Sequence, residues 1–271
     1  MSTPKPIPCV HYSFNPWWGC TRVSAGCDNC YAATLDARVG GDHWGPDAPR
    51  RTFGEKYWAR PLKWSRDAAA AGARHRVLCA SMADIFDAHA PEGQLERLWG
   101  LIRRTPHLDW LLLTKRPGRI ARALPPDWGQ GYPNAWLGVS VEDEPAARSR
   151  LPVLAQTPAA LRFVCCEPLL SPVDLRPWAH ALDWVIAGGE TGPGARPLHP
   201  DWALGLRDQC QQADLPLFFK AWGAGRAGRR LEGRVWQELP AAATASPVFP
   251  ERPAENCRQQ TLFAASPPGA D

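Results

Sequence analysis

The chain has 271 residues, 45% hydrophobic and 21% charged, with a formal net charge of +4 at pH 7. That is the composition of a soluble globular protein with length enough for a sizeable core, and no apolar run reaches the roughly 20 residues that span a bilayer. The opening segment Met1–Pro8 has no apolar signal stretch, so a cytoplasmic chain without a membrane partner is expected.

The cysteines number nine, odd and irregularly spaced, which reads as reduced thiols and ligands and not as a disulfide framework. The mild positive balance permits nucleic acid as a partner without requiring it. The 14 tryptophans are many for this length. Trp stacks on bases, sugars or an adenine, though most buried Trp simply fills core.

In chain order, residues 1–10 form a Pro-rich arm, and His11–Trp18 reads as a first strand running into a cysteine loop. That loop carries Cys20, Cys27 and Cys30 in the spacing C-x6-C-x2-C. The next His and Cys are His43 and Cys79, so no fourth ligand is near. A structural zinc site needs four closed ligands. A four-iron cluster held by three thiolates keeps one iron open. The spacing favours the open cluster, with a zinc site completed by His43 or a distant cysteine as the alternative. Gly19 and Gly26 let the backbone bend tightly here.

A helix over Tyr31–Val39 begins directly after Cys30 and would offer its free N–H groups to an anionic site. Residues 40–55 read as loop and Trp58–Ala71 as helix, with Pro61 in its first turn. The chain then alternates. Apolar runs end at Ser81, Thr114–Lys115, Ser140, Glu167, Glu190 and Lys220. Helix candidates lie between them at Pro91–Arg104, Gly118–Leu124, Glu144–Gln156 and His199–Ala213, the last capped by Asp201. Apolar runs without alternation suggest strands covered on both faces, and the order of elements predicts an α/β fold, a βα barrel or a doubly wound sheet.

In a parallel barrel, ligands gather at the carboxyl ends of the strands. Ser81, Asp84, Thr114, Lys115, Ser140, Glu142, Glu167, Glu190 and Lys220 would form such a mouth beside the cysteine loop. Each has a plain alternative: Asp84 as a helix cap, Glu142 solvated, Lys115 paired with a carboxylate. Arg226–Arg230 with Leu231–Trp236 reads as a basic hairpin or flap. Residues 1–239 form the folded domain and residues 240–271 a Pro- and Ala-rich disordered tail.

The stretch Asn15–Tyr31 resembles the opening motif of phage-associated three-cysteine-motif proteins, a family of unknown function. The likeness continues through Ser81–Phe86, Leu113–Pro117, Trp136–Glu142, Cys166–Leu170, Gly188–Glu190 and Lys220–Gly223. That family is in turn similar to radical-SAM enzymes of the branch resembling spore photoproduct lyase.

The resemblance implies a partial TIM-like barrel of about six parallel strands. It also implies a 4Fe-4S cluster on Cys20, Cys27 and Cys30, with S-adenosylmethionine (SAM) as cosubstrate, cleaved to a 5′-deoxyadenosyl radical. Ser81, Asp84, Ser140, Glu142, Glu167, Gly188, Gly189 and Glu190 are the implied cofactor contacts. Lys115, Lys220 and Trp222 are the candidate substrate contacts, for a nucleic acid base or nucleotide. A reductant protein is an expected partner.

Three details depart from the radical-SAM pattern. The first cysteine gap is six, not three; Asn29 stands where an aromatic usual to the motif would be; and Gly188-Gly189-Glu190 lies on a late strand. By position, the Ser81–Asp84 region takes the amino-group role, and Ile186–Gly189 lies along the adenine. Two other readings fit the residues: a barrel hydrolase with Glu167 and Glu190 as paired carboxylates, and a non-catalytic nucleic-acid-binding protein with a structural metal.

Overall fold

Strands made of unbroken apolar runs need cover on both faces, which a helix-walled parallel sheet supplies. The computed structural model, describing residues 9–224, 226 and 228–241, has that form. Its strands are β1 (Tyr12–Ser13), β2 (Trp17–Trp18), β3 (Arg51–Thr52), β4 (His75–Cys79), β5 (Leu108–Thr114), β6 (Ala135–Ser140), β7 (Arg162–Cys166), β8 (Trp184–Ala187), β9 (Leu217–Phe219), β10 (Arg230–Leu231) and β11 (Arg234–Val235). Seven form one sheet in the order β1-β4-β5-β6-β7-β8-β9, every pair parallel. The strands ending near Ser81, Thr114, Ser140, Glu167 and Glu190 are therefore consecutive neighbours, as expected. The sheet has seven strands, in keeping with the expected partial barrel of about six.

The two-residue period of a strand sorts the sheet into two faces. Val77, Leu112, Val139, Val164, Ala187 and Phe219 pack into the large core with the helices. Leu111, Trp136, Phe163, Cys165, Trp184, Ile186 and Phe218 pack together on the other face, where Cys9 and Leu239 also lie. The helices are α1 (Tyr31–Arg38), α2 (Glu55–Trp58), α3 (Arg60–Ala70), α4 (Gln94–Arg103), α5 (Ile120–Ala123), α6 (Glu144–Gln156) and α7 (Pro200–Gln212). No described helix is long and apolar enough to cross a membrane.

Several local expectations are corrected. The first strand, expected over His11–Trp18, breaks after Ser13, and Trp17–Trp18 pairs antiparallel with Arg51–Thr52. Pro16 has no N–H for a ladder, and the Asn15 N–H goes to the Tyr57 hydroxyl, 3.0 Å away. The helix expected over Trp58–Ala71 is split into α2 and α3, with Pro61 in the first turn of the second. Its missing N–H is tolerated there because first-turn donors have no helical partner. The helix expected from Pro91 starts only at Gln94, and the one expected from Gly118 is a 3-10 turn, Pro117–Arg119, leading into α5.

The cap of α7 is His199, whose ring accepts from the Asp201 N–H at 3.3 Å, so Asp201 sits inside the first turn. The flap is a hairpin of β10 and β11. The expected disordered tail lies, beyond Ala241, outside the described residues, as does the Pro-rich arm before Cys9.

Candidate cysteine-loop site

The cysteine loop crosses the carboxyl ends of the strands. It leaves β2 through Gly19, whose φ of +114° suits glycine, and an added Cβ there would stand 2.3 Å from the His43 carbonyl oxygen. The Gly19 N–H reaches the Met82 carbonyl just beyond β4. A 3-10 turn, Ala25–Cys27, follows, and Cys30 is the N-cap of α1. Gly26 lies against Glu142: a Cβ would meet the Glu142 carboxyl carbon at 3.0 Å.

Three arginine–carboxylate pairs hold this loop to the sheet. Asp84, after β4, accepts from the Thr114 hydroxyl, the Lys115 N–H and Arg116 Nη1. Arg116 in turn donates to the Thr21 carbonyl and, at 3.5 Å, to Cys20 Sγ. Glu142, after β6, is 1% exposed and grips Arg150 of α6 through both oxygens, at 2.8 and 3.0 Å. Ser24 of the loop donates to Glu142 and accepts from Arg150. Glu190, after β8, accepts from the Arg196 guanidinium and backbone N–H and from Asn29. Arg196 also donates to the Ala25 carbonyl. Behind the loop, buried Arg50 bonds Thr21 Oγ1 and Asp87.

Burial raises the cost of charge on Glu142 and Glu190, yet the guanidinium partners, with Ser24 and Asn29, hold both carboxyls below the usual carboxylate range. A Glu190→Gln chain should lose about 1.5–3 kcal/mol, the range for a hydrogen bond to a charged group. Amide exchange in residues 25–30 should rise with it, while exchange in β5 and β6 stays slow. Unchanged protection of residues 25–30 would show that this clamp does not hold the loop.

A second set of side chains lies at the concave face. Alternation carries Leu113, Cys165, Ile186 and Phe218 on to Lys115, Glu167, Gly188 and Lys220. Lys115 Nζ donates to the Ser140 hydroxyl at 3.2 Å, and Lys220 is ion-paired with Glu167. Burial opposes the charge on Lys220, but the paired Glu167 carboxylate raises its pKa. Ser81 is hydrogen-bonded to Ser13 and Asn15, and its carbonyl accepts from the Tyr31 hydroxyl at 2.7 Å. Tyr31 keeps 47% of its surface exposed. Gly188 and Gly189 bring the end of β8 close to its neighbours: a Cβ on Gly189 would overlap the Trp222 carbonyl oxygen at 1.8 Å. Trp222 itself is 6% exposed, donates to the Arg230 carbonyl and is covered by Arg226.

The sequence singled out the carboxylates Asp84, Glu142 and Glu190 but not the arginines that occupy them. Arg116, Arg150 and Arg196 reach loop residues 95 to 171 positions away, and no local pattern announces such contacts. Among the described residues, no three His, Cys, Asp or Glu side chains stand together closely enough to share one metal ion. The His43 ring is turned to Asp36, 2.8 Å away. Among the described residues neither a completed zinc ligand set nor a convergent set of the three cysteines is therefore preformed; the thiolates of a four-iron cluster each bind a different iron and need not meet at one point. Of the eight described cysteines, Cys20, Cys27 and Cys30 are partly exposed and the other five buried, all of them free. That donor set fits a cluster: three thiols in one loop, with a guanidinium donating to one sulfur. Burial pushes the Cys20 thiol up to about 11, against the pull of Arg116, so ligation there must release a proton.

Over residues 5–240 the sequence matches the family described as proteins of unknown function, DUF5131. The chain belongs to that family. No curated protein matches this DUF5131 member. Among solved structures, a cysteine-to-serine mutant of spore photoproduct lyase aligns with a TM-score of 0.51 at 12% identity, over 79% of this chain and 76% of that one. A double mutant of the lyase with bound AdoMet and dinucleoside spore photoproduct gives 0.48 at 13% identity, over 78% and 64%. The chain thus spans just under two thirds of that relative's length. At such identities the likeness shows the fold alone: this DUF5131 chain has a curled half-barrel sheet of seven parallel strands resembling that of spore photoproduct lyase.

Proposed function

We propose that this chain is a radical-SAM-type iron–sulfur enzyme acting on a nucleic acid base or nucleotide. The observation that carries the proposal is the placement of the cysteine loop. Three accessible, unpaired cysteines lie in a loop clamped across the carboxyl ends of a parallel half-barrel, where this architecture collects its ligands. Cys20, Cys27 and Cys30 would hold the cluster. When bound and reduced, cluster and SAM supply a 5′-deoxyadenosyl radical that takes a hydrogen atom from substrate.

The chain's own residues divide the work. Ser81, Ser140, Glu167 and the backbone at Gly188–Gly189, at the end of β8, are the proposed cofactor contacts. Asp84, Glu142 and Glu190 act on the cofactor indirectly, because their oxygens are engaged in holding the loop. Lys115 and Lys220 supply positive charge at the mouth, balanced in Lys220 by Glu167. The paired-carboxylate hydrolase is disfavoured, since both carboxylates are already engaged, Glu190 by Arg196 and Asn29 and Glu167 by Lys220.

The test is anaerobic reconstitution with iron and sulfide, then reduction in the presence of SAM. The expected result is a brown protein that releases 5′-deoxyadenosine and methionine. A full cluster without SAM binding or cleavage would leave an iron–sulfur half-barrel of another purpose.

A further inference from the structure

On the side of the cysteine loop facing α6 lies a cleft of about 780 Å³. Its walls are the loop itself at Thr21–Ser24, the turn Pro117–Arg119 after β5, and the first turns of α6. That volume suits a nucleotide-sized group. The charges in its walls do not cancel. Asp87 is taken by Arg50 and Arg116, Glu142 by Arg150, and Asp143 caps α6 by accepting the Ala146 N–H. Arg22 pairs with Asp28.

Two cations remain with no carboxylate within ion-pairing distance among the described residues. Lys115 Nζ is hydrogen-bonded to the Ser140 hydroxyl and acts on Glu142, already gripped by Arg150, only through its charge at longer range. Arg119 has its Nε fixed on the Phe86 carbonyl at 2.8 Å, which leaves its two terminal nitrogens for another acceptor. A guanidinium anchored by its Nε keeps both terminal nitrogens for phosphate oxygens, and Lys115, four residues earlier in the chain, supplies a second point charge. Lys115 also belongs to the concave face, so the cleft and the mouth meet at its side chain.

We propose that this cleft binds the phosphodiester backbone of a nucleic acid strand, through Arg119 and Lys115, and thereby leads a base to the mouth. The inference rests on the radical-SAM reading for its purpose but not for its binding step, which needs neither cluster nor SAM. No base-specific contact is implied: backbone contacts position a strand and do not read it.

The experiment is fluorescence anisotropy of a short labelled oligothymidylate with the cluster-free full chain, at several salt concentrations. The logarithm of affinity should fall linearly with the logarithm of salt, by about 0.7 per phosphate contacted. Arg119→Ala and Lys115→Ala should each weaken binding about tenfold and flatten the slope by roughly one contact. Arg119→Lys should keep most of the slope.

Arg66→Ala makes the same change in net charge at an exposed position on α3, away from the cleft, and should leave affinity near that of the parent. An equal effect from Arg66→Ala would overturn the proposal in favour of diffuse attraction. Unchanged binding in Arg119→Ala and Lys115→Ala with circular dichroism intact would overturn it outright. Competition by pyrophosphate as strong as by unlabelled strand would replace it with a site for isolated phosphates. Cluster content and 5′-deoxyadenosine release are read separately, so failure here is distinct from failure of the enzymatic reading.

Discussion

Cys27→Ala should abolish the cluster in a chain that still folds. Anaerobically reconstituted parent protein should carry about four iron and four sulfide, and the variant a small remainder without the broad visible absorption. The fold should survive because the loop does not depend on this side chain. Cys27 closes the 3-10 turn through its backbone N–H to Ser24 O at 2.9 Å, while the turn is held from outside by Arg150, Arg196 and Glu142. Cys210→Ala is the informative contrast. Cys210 is buried in the helix-side core, so that variant should lose stability through a small cavity and keep its iron. Equal iron in Cys27→Ala and parent would remove the three-cysteine assignment.

Arg150→Ala should be among the most destabilising single changes in the protein. It strands the Glu142 carboxylate, 1% exposed, without its bidentate partner and frees Ser24 and the Ser140 carbonyl as well. Breaking a buried pair from one side costs about 3–5 kcal/mol, which in a domain of this size lowers the midpoint of thermal unfolding by roughly 6–20 °C. Replacing both partners, Glu142→Met with Arg150→Met, should recover much of the loss, because it removes the buried charge together with its counter-ion.

The pH dependence follows from the direction of the shift. Burial opposes ionisation of Glu142, but Arg150 and Ser24 pull its pKa below the ordinary 4.5. A depressed carboxyl stabilises the fold above its unfolded pKa, and that stability is lost as pH falls through the folded value. The parent's melting temperature should therefore drop below about pH 4.5, and the drop should be shallower in Arg150→Ala. Parallel acid profiles for the two proteins would show that Glu142 contributes nothing through ionisation.

Much of this architecture was legible in the chain. The runs ending at Thr114, Ser140 and Glu167 are apolar without alternation, and unbroken apolar strands between amphipathic helices leave few folds besides a helix-covered parallel sheet. Because parallel strands share one carboxyl edge, their polar ends at Lys115, Ser140, Glu167 and Lys220 could be placed on one mouth before any contact was known. The helix expected over Glu144–Gln156 forms over those residues, and the structure adds its cap: Asp143 accepts the Ala146 N–H.

The breaks were harder to see. The stretch His11–Trp18 looks extended throughout, and only the partner strand Arg51–Thr52, some 34 residues on, explains why its second half leaves the sheet. The same holds for Asp84, Glu142 and Glu190. Their position on the mouth was determined by the sequence, since strand order and strand ends depend on local pattern and a general topological rule. What each oxygen faces was decided by the tertiary structure alone. Arg116, Arg150 and Arg196 arrive from different elements on long flexible side chains, and an ion pair depends on where those side chains end in space, not on spacing along the chain.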